Sequence, residues 1–432
     1  MDRGLTGYAE ALDALFARTG ATSKYGLDRT LAFLDMLGNP HERIRAIHVA
    51  GTNGKGSVVA MLYALLRDKG LRVGRYTSPH LIDFRERIVV DDEMIAEDFI
   101  LDFLERWRKP AEELGATFFE ITTAMAFHYF EKRNVDVAVI ETGLGGRLDA
   151  TNVIQPIVAG ITSIAIDHVE YLGSTEAEIA TEKAGIFKPA VPCVIGTVSP
   201  EARAAILKTA AKAGVAGVVD APARFRTSNI EVLTDATEFT MTHDGVSRKL
   251  STGLIGKAQA GNASVAMTML DAAGPEWAVT LDRAGLVLPS VKLPGRFQRR
   301  GKYILDVAHN PDGMRVLSET LELVEAERPV LAIVGILNDK NWREMLVLLA
   351  PHVDRILLVS PPTAPSQRAW SPAEALAFAR SQGIEAEIAD FATAVLSAPA
   401  QSGTVLITGS FHTTGDALQL IEQTRITASN LP

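Results

Sequence analysis

Short apolar runs alternate with longer segments of helical periodicity along most of the chain. This is the pattern of parallel strands joined by crossover helices, and it predicts an α/β fold. Residues 44–50 read as a buried strand, 58–69 as a helix, and 135–141, 157–161 and 191–196 as further strands. Each strand runs into Gly, Asn, Asp or Thr, the residues that turn a strand end into a ligand-binding loop. From 229 to 250 the pattern changes to short alternating segments separated by Asp, Thr and Gly, which predicts an antiparallel edge sheet. A helix at 259–272 follows. The stretch 288–298 places two prolines and a glycine between helical and strand patterns, marking a boundary that divides 1–293 from 294–432. Beyond it the alternation restarts, with strands at 303–307, 330–335, 355–359 and 404–408. The chain has no internal repeat and no low-complexity tract.

Composition adds bounds to this picture. A chain of 432 residues exceeds what one hydrophobic core usually supports, so two domains are expected. A net charge of −9 argues against a general nucleic-acid binder, which needs a basic surface to neutralise phosphates. The first twenty residues alternate polar with apolar positions and carry acidic groups, unlike a signal peptide, and no uninterrupted apolar run reaches the ~18 residues of a membrane span. The expectation is a cytoplasmic enzyme with small-molecule partners and neither nucleic acid nor membrane among them. Cys193 lies in the apolar run 191–195 and reads as a core thiol rather than a nucleophile.

The strongest chemical signal is Ile47-His-Val-Ala-Gly-Thr-Asn-Gly-Lys-Gly-Ser57, an apolar strand that enters a glycine-rich turn and then directly a helix. Glycines let successive backbone N–H groups face a phosphate, the helix N-terminus adds a favourable dipole, and a lysine brings full positive charge to the β and γ oxygens. Gly51, Thr52, Asn53, Gly54, Lys55, Gly56 and Ser57 are the candidate nucleotide ligands, and the Ser57 hydroxyl can approach Mg²⁺. The run departs from G-x-x-x-x-G-K-[ST], because Val49 stands at the first glycine and Gly56 separates the lysine from the serine. The plain alternative, a glycine-rich connection with an incidental lysine, is weakened by the strand before it and the helix after it.

Other strand ends carry further candidates. Glu141 closes the strand 135–141, where open α/β sheets bind ligands and a hard cation finds oxygen donors; alternatively it caps the following turn. His168, in Thr162-Ser-Ile-Ala-Ile-Asp-His168, can ligate metal or contact phosphate, though a lone loop histidine is more often structural. Lys183 ends a helical segment and reads equally as a solvated lysine. Ser78, in Tyr76-Thr-Ser-Pro-His-Leu81, can complete a Mg²⁺ shell or simply belong to a turn. In Leu305-Asp-Val-Ala-His-Asn-Pro311, Asp306 can accept ribose or backbone hydrogen bonds and His309 can face phosphate, with a helix N-cap as the alternative.

Taken together these motifs resemble the folylpolyglutamate synthase and dihydrofolate synthase family, a branch of the Mur ligase superfamily, over about residues 26–416. The likeness rests on GTNGKGS (51–57), TSPHL (77–81) with FRERI (84–88), FFE (118–120), ETGLGGRLDATN (141–152), DHVEYLG (167–173), EKAGIFK (182–188), PGRF (294–297) and DVAHNP (306–311). It implies a P-loop ATPase domain of the Mur ligase type over 1–293, with a parallel sheet, and a smaller Rossmann-like ligase domain over 294–432. It implies ATP and two Mg²⁺ ions, with Lys55 and Ser57 serving phosphate and metal and with Ser78, Glu141 and His168 around the ions. Lys183 looks like the family's carbamylated lysine. Asn262 and Arg296 match positions that contact adenine and phosphate, Asp306 and His309 reach the nucleotide and reaction centre, and Arg87, Phe119, Asp149 and Ser410 match substrate positions. Three positions depart from the family pattern: Ala258 where a histidine is often found, Asn341 where an aspartate is common, and His412 where a tyrosine is usual.

The implied reaction is ATP-dependent addition of L-glutamate to dihydropteroate, to reduced folates, or to both, through an acyl phosphate, by a monomer. The expectation is both activities in one chain, with a monofunctional folylpolyglutamate synthase as the alternative. A cell-wall Mur ligase would carry an additional N-terminal domain for its uridine nucleotide, whereas the first strand here begins at residue 44. A P-loop regulatory ATPase would hydrolyse nucleotide to move a partner and would not need a second nucleotide-facing domain.

Overall fold

Strand β1 (Ala46–Ala50) is buried at all five positions, as a strand covered on both faces must be, and it lies near the middle of the larger sheet. The computed structural model describes residues 7–20 and 26–429. They fall into two compact units. The first holds the described residues through His80, then Phe84–Arg226 and Asn262–Val287. The second holds Leu81–Asp83, Thr227–Gly261 and the described residues from Leu288 onward.

The sheet of the first unit contains β1, β2 (Val73–Tyr76), β3 (Ile88–Val90), β4 (Glu93–Met94), β5 (Val137–Glu141), β6 (Val158–Ile161), β7 (Pro192–Ile195) and β8 (Gly217–Asp220), in the order β4-β3-β2-β5-β1-β6-β7-β8. Antiparallel pairing is confined to β2 with β3 and β3 with β4. Register sets the site: Val49 pairs with Glu141 on one side of β1, and Ala50 pairs with Ile161 on the other. The carboxyl ends of β5, β1 and β6 therefore lie side by side. Helix Lys55–Asp68 leaves β1 through the glycine turn and buries Val58, Val59, Met61, Leu62, Leu65 and Leu66. Helix Phe118–Lys132 starts at a capping box in which Thr117 accepts from the Glu120 amide while the Glu120 carboxylate accepts from the Thr117 amide. Its aromatic residues Phe127 and Phe130 join Phe33, Tyr76 and Ile140 in one core; Ile161, Ile179, Ile195 and Ile206 belong to another.

The antiparallel segment differs from the expected edge sheet. Strands β9 (Arg226–Val232), β10 (Thr237–His243) and β11 (Val246–Thr252) form a separate three-stranded sheet, and residues 227–261 pack with the second unit although they precede 294 in sequence. The edge of the larger sheet is taken by β8, whose two valines are too short a run to stand out. The remaining strands, β12 (Gln298–Arg300), β13 (Tyr303–Leu305), β14 (Val330–Val334), β15 (Arg355–Leu358), β16 (Ala386–Ile388) and β17 (Thr404–Thr408), make a sheet ordered β12-β13-β17-β14-β15-β16, parallel except for β12. Its core on one side gathers Ile304, Met314, Val334, Met345 and Leu406. No helix among the described residues is long and apolar enough to cross a membrane.

His48 sits wholly buried in β1. Burial, with a smaller push from Lys188, lowers its pKa from 6.5 to about 3. As pH falls the unfolded chain takes up this proton first, so the neutral ring contributes stability in full above pH 6.5 and loses it between there and about pH 3. The slope from this one group is at most ~1.4 kcal/mol per pH unit. Denaturant midpoints should fall as pH drops from about 7 to about 4, and fall less steeply in His48→Gln. An identical profile in the two proteins would show that this imidazole is not the group responsible.

Candidate active site

The phosphate turn is braced by the segment that follows β6. Gly51 has φ 151°, and a Cβ there would lie 1.9 Å from Thr162 Oγ1. The Thr52 amide donates to the Ser163 carbonyl (2.8 Å), and Thr52 Oγ1 both donates to the Ala165 carbonyl and accepts from the Ala165 amide, each at 3.1 Å. Thr162 Oγ1 and Ser163 Oγ donate to the Asn53 carbonyl at 2.6 and 3.0 Å. Gly54, at φ 85°, approaches Asn262: a Cβ would stand 2.5 Å from Asn262 Oδ1. A side chain at either glycine would displace a group that shapes the turn.

Two lysines converge on this turn. Lys55 Nζ donates to the carbonyls of Gly51 (3.0 Å) and Thr52 (3.1 Å), and Lys183 Nζ, buried, donates to the same Gly51 carbonyl at 2.9 Å. Lys183 is therefore not the plain solvated lysine its sequence allowed. Ser57 is buried in the first turn of the following helix, and Gly56 precedes it. Glu141 is buried, and its Oε2 accepts from the Ser78 amide at 3.3 Å, which brings the Ser78 backbone to this carboxylate. His168 stands at φ 53° before the short helix Val169–Leu172, its amide donating to Asp167 at 2.8 Å and its Nε2 3.8 Å from that carboxylate.

Beside this pole is an aromatic cluster around a buried guanidinium. Arg87 Nε donates to His80 Nδ1 at 2.8 Å, and its Cζ lies 5.2 Å from the ring centroid of Phe118 and 6.0 Å from that of Phe84. Burial lowers the Arg87 pKa, with Tyr76, Glu141 and Glu86 opposing. Phe16 stacks on Phe118 at 5.3 Å. Phe119 packs against Gly143, where a Cβ would come within 2.4 Å of the ring, and lies 6.1 Å from Tyr76.

In the second unit, β13 and β17 pair Leu305 with Ile407, which sets Asp306 beside the end of β17. The Asp306 carboxylate accepts from the Phe297 and Ala308 amides, both at 2.8 Å; burial raises its pKa, and the Arg296 charge and these two bonds oppose the rise. Phe411 joins the group, its ring 5.5 Å from the Arg296 Cζ and 5.7 Å from the His309 ring. His309 Nδ1 is 2.9 Å from the Val307 carbonyl.

Two of the expected substrate positions are engaged within their own loops. The Asp149 carboxylate is consumed by its own loop: Oδ2 accepts from the Gly143 (2.9 Å) and Leu144 (2.8 Å) amides, and Oδ1 from the Thr151 amide (3.0 Å) and hydroxyl. Ser410 is buried, its Oγ 2.8 Å from Thr413 Oγ1 and accepting from the Thr413 amide. Both side chains build turns rather than reach outward. The three family departures also have local roles: Ala258 begins helix Ala258–Ala273, Asn341 caps helix Trp342–Leu349, and His412 Nδ1 lies 3.0 Å from Thr363 Oγ1. Sequence reasoning missed the hydroxyls of Thr162 and Ser163 as braces, although their place directly after a strand was the available signal. It also missed that Leu81 leaves the first unit, which divides the TSPHL motif.

Among the described residues no three His, Cys, Asp or Glu side chains gather to hold a metal by themselves. A braced phosphate turn with two lysines and an adjacent strand-end carboxylate, in a chain with a second α/β unit carrying Arg296, Asp306 and His309, defines an ATP-dependent amide ligase of the Mur class. The Mur ligase middle domain matches residues 49–270, and the Mur ligase glutamate ligase domain matches 295–411. The chain is 37% identical over 358 residues to the dihydrofolate synthase/folylpolyglutamate synthase of Bacillus subtilis, covering 79% of this chain and 82% of that one. The chain belongs to the folylpolyglutamate synthase and dihydrofolate synthase family. Its fold matches Mycobacterium tuberculosis folylpolyglutamate synthase complexed with ADP at TM-score 0.86 and 32% identity, covering 96% of this chain and 98% of that one. It matches E. coli FolC in complex with DHPP and ADP at TM-score 0.86 and 29% identity, covering 98% and 100%.

Proposed function

We propose that this ligase joins L-glutamate both to dihydropteroate and to reduced folates, one chain carrying both activities. The observation that carries the reading is the convergence of Lys55 and Lys183 on the Gly51 carbonyl beside Glu141, in a relative of enzymes named for both reactions. The acceptor carboxylate attacks the γ-phosphorus of ATP, ADP leaves, and an acyl phosphate remains. The amine of glutamate then attacks the activated carbonyl and phosphate departs as the amide forms. This chemistry asks the protein mainly for positioning and charge neutralisation.

Gly51, Thr52, Asn53, Gly54 and Gly56 supply the backbone cradle, Lys55 the charge, and Asn262 with Arg296 and Asp306 the remaining nucleotide contacts. Ser57, Ser78, Glu141 and His168 are the donors that would hold Mg²⁺, and one carboxylate with hydroxyls suits an ion that keeps waters and substrate phosphates as its other ligands. When bound, Mg²⁺ supplies charge neutralisation on the phosphate oxygens. Carbamylated Lys183 would keep one N–H for the Gly51 carbonyl and add oxygen donors for a second ion. Arg87 and Phe119 hold the acceptor's flat ring, His309 serves the reaction centre, and Asp149 and Ser410 act through the turns they build. The protein works as a cytoplasmic monomer.

ADP release by purified protein with ATP, Mg²⁺ and glutamate, compared across dihydropteroate, tetrahydrofolate and no acceptor, tests this, with mass spectrometry of the products. A gain of one glutamate on both acceptors is expected. A gain on tetrahydrofolate alone would leave a monofunctional folylpolyglutamate synthase, and steady ATP hydrolysis with no acceptor product would overturn the ligase reading of this chain.

A further inference from the structure

One hydrogen-bond chain behind the loop that follows β5 runs from Asp149 to a buried histidine that has no role in the reaction described above. His48 Nε2 lies 2.8 Å from Thr151 Oγ1, Thr151 Oγ1 donates to Asp149 Oδ1, and Asp149 Oδ2 holds the amides of Gly143 and Leu144. His48 and Thr151 are wholly buried and Asp149 nearly so. Burial raises the Asp149 pKa, and the four hydrogen bonds its carboxylate accepts oppose that rise. As the carboxylate these donors favour, it only accepts, so the Thr151 hydroxyl proton is committed to Asp149, and its oxygen can take only a donor from His48. The imidazole therefore carries its proton on Nε2. Its Nδ1 has no hydrogen-bond partner, which this tautomer tolerates as a bare lone pair; the other would bury an orphan N–H and turn two lone pairs on each other.

The chain joins two functional elements. His48 stands three residues before Gly51 on the strand that delivers the phosphate turn. The loop at the other end packs Gly143 against the Phe119 ring, and Gly146 lies so close to the Lys183 and Glu182 carbonyls that a Cβ would come within 2.5 and 2.8 Å of them. Arg147 pairs with Glu182 on the same side at 2.9 Å. The amides that Asp149 gathers thus set the wall against which Phe119 rests.

We infer that His48 is a positioning residue for the acceptor: through Thr151 and Asp149 its Nε2–H fixes the 142–149 loop and with it the seat of Phe119. The kinetic consequence rests on the proposed ligase activity, whereas the hydrogen-bond chain does not. In the full-length protein, His48→Leu removes the donor at similar volume and His48→Gln keeps an N–H near the Nε2 position. His48→Leu should raise the KM for tetrahydrofolate about tenfold and leave the KM for ATP within about twofold, the scale expected for losing a bond that supports a charged group. Peptides spanning 142–150 should exchange their amide hydrogens faster in His48→Leu, and His48→Gln should restore both readouts. Thr151→Val breaks the chain one link further on and should reproduce the effect if His48→Leu fails to fold. Equal shifts in the two KM values, unchanged exchange over 142–150, or a glutamine no better than leucine would overturn the inference. Failure of the unmodified protein to add glutamate would overturn the ligase reading instead, and the exchange comparison would still decide the hydrogen-bond chain.

Discussion

Lys55→Ala should reduce ADP formation at least about a hundredfold, because one charge contact to a transferring phosphoryl group is worth on the order of 3 kcal/mol in a preorganised site. Lys55 begins its helix, so its ammonium lies at the end of a strand where backbone N–H groups also converge, and its bonds to the Gly51 and Thr52 carbonyls hold it over the turn. Removing it does not strip the Gly51 carbonyl of its partners, because Lys183 still donates there. Stability should therefore change by no more than about 1 kcal/mol while activity collapses. Lys55→Arg should not rescue turnover, since a planar fork cannot occupy the place of a compact ammonium held by two carbonyls. ADP release coupled to a spectrophotometric assay, alongside thermal unfolding, separates these effects. Near-normal turnover in Lys55→Ala would remove the phosphate turn from the mechanism.

The second large effect is expected at Gly51. With φ at 151° and only 1.9 Å between the place a Cβ would take and Thr162 Oγ1, the turn has no room for even one methyl group. The threonine cannot simply rotate away, because its hydroxyl donates to the Asn53 carbonyl and helps hold the turn. Gly51→Ala should shift the turn by a fraction of an ångström or more and lower kcat/KM for ATP on the order of a hundredfold, the usual consequence of misplacing a reacting group. Gly70→Ala is the matching control: Gly70 has φ 81° but nothing within 4 Å of a Cβ. It should cost only about 1 kcal/mol of backbone strain and leave activity alone. Comparable losses of activity at both positions would mean that strain in general, and not the brace from Thr162, governs the turn.

Much of this site could be read locally. The apolar run into Gly51, the lysine and serine that open the next helix, and the carboxylate closing 135–141 each declare themselves within a dozen residues, because a strand buried on both faces must be continuously apolar and its polar end must serve a loop. Asp149 and Ser410 were not readable in this way. Each is a polar group in a functional-looking motif, and only the positions of the Gly143 and Leu144 amides around the one, and of Thr413 beside the other, show that its side chain is engaged within its own turn. The segment 227–261 was similarly opaque: alternation specifies antiparallel strands but not which sheet or unit they join.

By itself the sequence determined the alternating α/β plan, the glycine-rich turn between strand and helix, and the family, since these depend on short-range periodicity and on residue types in fixed order. Tertiary structure alone decided how Thr162 and Ser163 brace the turn, that Lys183 is buried against Gly51, and that His48 meets Thr151. His48 and Thr151 are 103 residues apart, and Lys183 and Gly51 are 132 apart. Such pairs meet only because β1 lies between β5 and β6 in one register, a choice made by the packing of the whole sheet and written in no local pattern.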